Sequence, residues 1–409
     1  MQKVWYRPIS GAIILYIFGG DVEMTYYIHA KKFFLHNTTE HGGYLEITDD
    51  GKFGKYFTEE DGKPAGKVVD YSDKFIAPGL VDTHIHGTCG HDVMDNDFEG
   101  INEMSEGLLK TGVTSWLPTT LTASHEEFLN VCKTIGDNYQ KATGAKIQGI
   151  HLEGPFYTEE HKGAQNPKYF RDPSVEEFND WQDAAHGIIK KISIAAERDG
   201  ALDFIKEVTA NDVAVAIGHT NATFAQVKKA VEAGASVFTH AFNGMRGFTH
   251  REPGVAGAAM GLDGIYDELI CDGHHVHPFS VKMLINAQTP DHVALITDCM
   301  RAGLMPEGDY VLGELPVIVE NGTARLKDES HNLAGSILQL KQGVKNVVDW
   351  DIATPAQAVK MGSYVPAKST YIDDKCGIIA QGRDADFIVL DEDMELSETY
   401  LDGVSRYQR

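Results

Sequence analysis

From residue 75 onward the chain alternates short apolar runs with longer stretches whose hydrophobic positions recur every three or four residues. The runs fall at 75–81, 113–117, 146–150, 192–195, 213–217, 236–238, 268–270 and 293–296. Between the fifth and sixth, Phe224, Val227 and Val231 stand at i, i+3 and i+7 and Gly234 follows, which predicts an amphipathic helix over 222–234 with a glycine stop. Apolar runs separated by helices predict parallel β/α units with both sheet faces covered. Eight of them predict an α/β fold of the closed (β/α)8 TIM-barrel type, with an open doubly wound sheet as the competing arrangement.

The flanks follow another pattern. Residues 24–73 contain strand-like pieces at 25–28, 43–47 and 67–69 broken by Gly and Asp turns, and 377–390 reads as strand, turn, strand. These ends are expected to pair as one small discontinuous β-sandwich, so that the chain divides into 24–73, a barrel at 74–364, and 365–409. Residues 1–23 hold an apolar run at 12–18 behind Lys3 and Arg7. That run is shorter than the roughly 20 residues a membrane span needs. No A-x-A-like cleavage site follows in Gly19-Gly-Asp-Val-Glu23. The segment is read as an N-terminal extension, disordered or added by start-site choice.

Composition narrows the partners. Over 409 residues, 36 Lys+Arg against 60 Asp+Glu leave a net charge of −24, which argues against nucleic acid or an anionic membrane as the main partner. A small anionic ligand in a locally positive pocket remains compatible. The hydrophobic share of 42% suits a globular chain with a large core. Cys89, Cys132, Cys271, Cys299 and Cys376 are odd in number and form no CxxC, which predicts free thiols, a reducing compartment and a cytoplasmic location.

The chemistry sits where the apolar runs end. Run one leads into His84-Ile-His86, run three into His151-Leu-Glu153, run five into Gly218-His219, run six into Thr239-His240, run seven into Asp272-Gly-His274-His275, and run eight into Thr297-Asp298. Carboxyl ends of strands form the active face of a β/α barrel. A single histidine there would most simply be structural; repetition at so many strand ends points to a site. His-x-His on an extended strand puts both imidazoles on one side. With Glu153, His219, His240 and Asp298 the pair supplies three to six oxygen and nitrogen ligands, a set suited to Zn2+, Fe2+ or Mn2+, with one or two ions bound. A divalent ion lowers the pKa of bound water toward ~7, and Asp298, alone after run eight, is placed to take that proton and return it to a leaving group.

Ala77-Pro-Gly-Leu-Val-Asp-Thr-His-Ile-His-Gly87 resembles the first-strand signature of the amidohydrolase superfamily. His151-Leu-Glu-Gly-Pro-Phe156, Gly218-His-Thr-Asn-Ala-Thr223, Thr239-His-Ala-Phe-Asn-Gly-Met245, Asp272-Gly-His-His275 and Thr297-Asp-Cys-Met300 narrow the resemblance to its N-acetylglucosamine-6-phosphate deacetylases, over about 74–390. The resemblance implies hydrolysis of an acetamide on an amino-sugar phosphate, in amino-sugar catabolism and cell-wall sugar recycling. It makes Glu153, His219 and His240 the main metal ligands and Asp298 the acid/base. Substrate contacts fall to Ala164, Gln165, Asn243, Gly244, Arg251, Asp272 and His275, with Asn243, Gly244, Arg251 and His275 at the sugar phosphate. Leu333, Ala334 and Gly335 lie on a loop that closes over the sugar. Arg251 and its neighbours reach toward the adjacent subunit's site, which implies a homodimer. Two features differ within the family: the His84–His86 pair, absent from single-metal members, allows a second ion, and Gln165 stands where another branch has a histidine touching the amide carbonyl. Gln165 can donate a hydrogen bond but carries no positive charge, so the metal is expected to take more of the oxyanion.

Other substrates, such as N-acetylgalactosamine 6-phosphate, share the same chemistry. A non-catalytic assembly protein on this barrel would be expected to lose ligands or the last-strand aspartate, and this chain keeps them all. His274 and His277 are read as pocket neighbours, Cys89 and Cys299 as pocket-wall residues, and 254–264, without a Walker or Rossmann context, as a loop near the phosphate end.

Overall fold

A computed structural model describes residues 25–409; the extension expected at 1–23 lies outside the described residues. Eight strands carry the apolar runs: β1 (Leu80–Ile85), β2 (Val113–Pro118), β3 (Ile150–Glu153), β4 (Ile189–Ile194), β5 (Ala214–Ile217), β6 (Val237–Phe238), β7 (Tyr266–Ile270) and β8 (Val293–Ile296). β3 to β8 form one sheet in chain order, each parallel to the next. β1, β2 and the short strand Lys146–Ile147 form a second parallel sheet. Parallel bridges join the two, Thr119 to His151 beyond β2 and Ile85 to Cys299 at the end of β1. Every residue of β1, β2, β3, β5 and β8 is buried, the reason these runs show no alternation.

Helices cover the outside. The expected amphipathic helix is Phe224–Ala233: Thr223 caps it through a reciprocal bond with Gln226, Val227 and Ala230 are buried, and Gly234 ends it at φ 123°. The glycine-rich segment expected as a loop is instead the helix Gly254–Gly261. Of the glycines in this helix only Gly254 has positive φ; Val255, Ala258 and Ala259 bury against the core, and alanine is the best helix former.

Two runs divide. In the first, Gly79 breaks the chain between an outer strand ending at Pro78 and β1. A Cβ there would stand 2.0 Å from Thr114 Oγ1, so the close crossing requires glycine. The third run splits into Lys146–Ile147 and β3.

The chain ends share one mixed outer sheet, ordered Val404–Gln408, Leu396–Leu401, Phe387–Leu390, Lys67–Pro78, Tyr26–Phe34, Tyr44–Ile47, Phe53–Phe57, with Thr39–His41 beside Tyr26–Phe34. Lys67–Pro78 ties them, running parallel to Tyr26–Phe34 and antiparallel to Phe387–Leu390. Ile28, Phe33, Leu45, Phe53 and Phe387 pack in its core. The expected strand at the start of 377–390 is not formed, since turns occupy that stretch up to Phe387. An antiparallel insertion, Gly308–Leu312, Leu315–Glu320 and Thr323–Leu326, follows β8 without any expectation from the sequence.

Candidate metal-dependent active site

The six expected ligands converge at the carboxyl ends of the parallel strands. β1 supplies His84, with His86 just beyond it, and Glu153 ends β3. His219, His240 and Asp298 follow β5, β6 and β8 with φ of 45°, 32° and 50°. Left-handed backbone is costly for such residues and concentrates at functional sites. Two glycines make room for the His219 ring: a Cβ on Gly244 would come within 2.9 Å of Nδ1, and one on Gly163 within 3.2 Å of Cε1.

The donors form two groups, Glu153–His219–His240 and His84–His86–Asp298, each with ligand atoms within 4.8 Å of one another. Glu153 joins them. Its Oε1 lies 3.3 Å from Nε2 of both His219 and His240 and 3.4 Å from His84 Nε2, while Oε2 lies 3.2 Å from His86 Nε2. Asp298 Oδ1 is 3.2 Å from His86 Nε2 and 3.7 Å from His84 Nε2. The Nε2 atoms of His219 and His240 face each other at 3.1 Å. His84 Nε2 is buried without a hydrogen-bond partner. Convergent imidazole nitrogens, two carboxylates of which Glu153 is shared between the groups, and no thiolate make a donor set that fits one or two borderline divalent cations.

Charge in the pocket favours cations. Burial alone would raise the Asp298 carboxyl, but the His86 hydrogen bond and the charges of His84 and His86 hold it below the usual range. Glu153 is likewise held well below its usual range, against its burial, by His84 and by hydrogen bonds from His219, His240 and His84. Burial depresses His84, yet Glu268 and Glu153 bring it up to about 9. Burial lowers His240.

These groups line a cavity of about 390 Å3 together with Ala164, Gln165, Asn243, Gly244, His275, Leu333 and Gly335. Gln165 Oε1 accepts from the Thr122 N–H at 3.0 Å, which leaves Nε2 to donate to Glu153 Oε2 at 2.5 Å. Asp272 sits behind His275, accepting from its backbone N–H at 2.8 Å and lying 2.6 Å from its Nδ1. Ala334 is buried beneath the cavity wall with Met300 and Leu121. Arg251 is exposed and does not line the cavity of its own chain. His277 caps the helix Pro278–Gln288 and His274 is exposed, so neither is a pocket neighbour. Cys89 and Cys299 do not line the cavity either; the Cys299 thiol is buried and donates to the Met300 carbonyl.

The amidohydrolase family model matches residues 75–406. The N-acetylglucosamine-6-phosphate deacetylase of Vibrio furnissii is 38% identical over 84% of this chain and 86% of its own length. The chain belongs to the amidohydrolase family. Within the family it is also similar to the N-acetylgalactosamine-6-phosphate deacetylase of Escherichia coli O157:H7, 35% identical over 82% of this chain and 89% of that protein. A variant of the N-acetyl-D-glucosamine-6-phosphate deacetylase of Mycobacterium smegmatis, solved with N-acetyl-D-glucosamine 6-phosphate, superposes with a TM-score of 0.88 at 29% identity, covering 94% of this chain and all of that one.

Beneath this amidohydrolase site lie residues to which the sequence analysis gave no role. Asp82 accepts from the backbone N–H of His84 and the hydroxyl of Thr297, tying β1 to the turn after β8; burial raises its carboxyl to about 6. Lys191 on β4 pairs with Glu268 on β7, and Glu268 Oε2 lies 3.0 Å from His84 Nδ1. His151 stacks edge-on against His84 at 4.6 Å and reaches Ser193 at 2.8 Å. Lys191 just before run four and Glu268 at the start of run seven gave the available signal, a charged residue at the edge of an apolar run.

Proposed function

We propose that the protein is a metal-dependent deacetylase that hydrolyses N-acetyl-D-glucosamine 6-phosphate to D-glucosamine 6-phosphate and acetate in amino-sugar catabolism. The observation that carries this reading is the Glu153–His219–His240 group beside Asp298 in a cavity whose wall includes Asn243, Gly244 and His275. Its volume of about 390 Å3 suits a sugar phosphate. Glu153, His219 and His240 hold the first cation; His84, His86 and Asp298 hold a second, with Zn2+ or Fe2+ best suited to the donors and Mn2+ less so. Bound there, a divalent cation supplies Lewis acidity, lowering the pKa of water toward ~7 and stabilising charge on the acetamide oxygen.

The chain's own groups do the rest. Asp298, a carboxylate 3.2 Å from His86 Nε2, takes the proton of the attacking water. It then delivers that proton to the sugar nitrogen, because an amide anion is a very poor leaving group. Asn243, Gly244 and His275 orient the sugar phosphate, with Asp272 fixing the His275 ring. Leu333 and Gly335 narrow the mouth. Gln165 contributes by holding Glu153 as well as by offering an N–H toward the acetamide. Arg251 binds phosphate in the neighbouring subunit's site, in a homodimer; exposed Arg251 and Phe248, three residues away and 57% exposed, support a partner surface here. The parallel strands close as a (β/α)8 barrel, which the bridge between Ile85 and Cys299 supports, and the outer sheet folds as a small β-sandwich. No helix among the described residues is long and apolar enough to cross a membrane; with five free cysteines, that supports a cytoplasmic location.

The galactosamine relative favours a second reading, in which the axial epimer is the substrate. Acetate release from the two N-acetylhexosamine 6-phosphates decides between them. A higher kcat/KM for the gluco epimer is expected; a higher value for the galacto epimer would replace the assignment, and release from neither would remove it.

A further inference from the structure

We propose that the buried Lys191–Glu268 pair is a positioning device for His84, turning its ring so that Nε2 faces Glu153 and Asp298 and thereby sustaining the ion of the His84–His86–Asp298 group. The inference rests on the metal-site reading above.

Lys191 and Glu268 are both fully buried, on β4 and β7, and their charged ends touch. The other carboxylate oxygen lies 3.0 Å from His84 Nδ1. A carboxylate only accepts, so Nδ1 carries a proton, and Nε2 is the ring atom a cation would take in exchange for any proton there. That atom is buried, has no hydrogen-bond partner, and lies 3.4 Å from Glu153 Oε1 and 3.7 Å from Asp298 Oδ1. A cation between these groups satisfies all three. The other rings are held differently: His86 Nδ1 is 3.3 Å from the Thr119 carbonyl, and His219 Nδ1 is 2.9 Å from the His161 carbonyl. The His240 Nδ1 has no hydrogen-bond partner, so among the described residues His84 is the one ligand imidazole whose Nδ1 lies against a carboxylate. Burying two charges is costly before their attraction offsets it, and a hydrophobic pair would fill the space as well. Retaining the pair therefore points to the ligand it touches. Carboxylates behind a metal-bound imidazole fix its tautomer, and losing one costs about 10–100-fold in metal affinity.

The test is metal content per subunit, measured by elemental analysis after equilibration with buffered Zn2+, with folding checked by circular dichroism. Wild-type protein is expected to hold two ions. Glu268→Gln should keep the Glu153–His219–His240 ion and bind the second about 10–100-fold more weakly. Because glutamine leaves Lys191 unpaired in the interior, Lys191→Met/Glu268→Leu removes both charges together, and the same selective loss is expected. Either folded variant holding two ions at wild-type affinity would overturn the proposal. Histidine-selective 15N spectra of Zn2+-loaded wild-type protein read the ring without any substitution at the pair: a protonated His84 Nδ1 is expected, assigned by its loss in His84→Gln. A metal-bound Nδ1 would overturn the proposal whatever the variants do. One ion in wild type and His84→Ala alike would also overturn it, by removing the ion it serves. Acetate release, assayed separately, would still stand or fall with the Glu153 group.

Discussion

At the scale of single residues, the candidate ligand set could be read because its members follow apolar runs, where chain order alone places them on one face. Their backbone was not. The left-handed φ at His219, His240 and Asp298 depends on the strand-end geometry around them, which no spacing encodes. Gln165 shows a similar limit: its residue type was visible, while its bond to Glu153 arises from the Thr122 N–H that orients it. Asp298→Asn keeps size but cannot take a proton, so kcat should fall on the order of 10³ or more with substrate binding nearly unchanged. Steady-state kinetics at matched metal content checks this. Gln165→Ala should lower kcat roughly tenfold to several hundredfold and weaken the metal on Glu153 as well; unchanged metal affinity would leave Gln165 acting on substrate alone.

At the scale of elements, period and run length identified the parallel strands, and the misreadings occurred where tertiary contact overrode local pattern. The first run hid a strand break because Gly79 serves a crossing with Thr114 distant in sequence. The helix Gly254–Gly261 reads as loop by glycine content and is held by burial. The inserted sheet after β8 has short alternating strands outside the β/α rhythm. One joint between elements is testable. Lys146, on the edge strand beside β2, lies 2.9 Å from Asp384, 2.9 Å from Asp386 and 2.6 Å from Asp402, pinning the parallel sheet to the outer one. Lys146→Met should cost about 2–3 kcal/mol at pH 8, less than for a fully buried pair because Asp384 and Asp402 keep solvent contact. Burial raises Asp386 to about 6, above its ordinary 3.8. The folded protein therefore takes up this proton before the unfolded chain does, and the group favours folding increasingly as pH falls from about 6 toward 4. Lys146 itself draws Asp386 down, so its loss raises that carboxyl further; the variant then gains more from protonation than wild type, and the gap between them should narrow from pH 8 to pH 5, as urea midpoints would report. A gap that widens would contradict this account of the joint.

At the scale of the whole molecule, the parallel β/α pattern and the meeting of both chain ends in one sheet could be read because each is a matter of order along the chain. The proposed phosphate end rests on the resemblance alone, since Arg251 is exposed and does not line the cavity of its own chain. If a second subunit receives it, sedimentation should give twice the chain mass. Arg251→Ala should then raise KM strongly for the 6-phosphate and little for the unphosphorylated sugar, a loss of binding rather than of chemistry. Equal effects on both substrates would place Arg251 elsewhere.

The central claim is that this chain releases acetate through a cation held by Glu153, His219 and His240. The most direct measurement follows acetate from N-acetyl-D-glucosamine 6-phosphate with wild-type protein as purified, after exhaustive chelation, and after Zn2+ or Fe2+ is restored, alongside Glu153→Ala. The account predicts turnover that disappears on chelation, returns with the ion, and cannot be restored in Glu153→Ala. Full activity in the chelated protein, or in Glu153→Ala without bound metal, would contradict it.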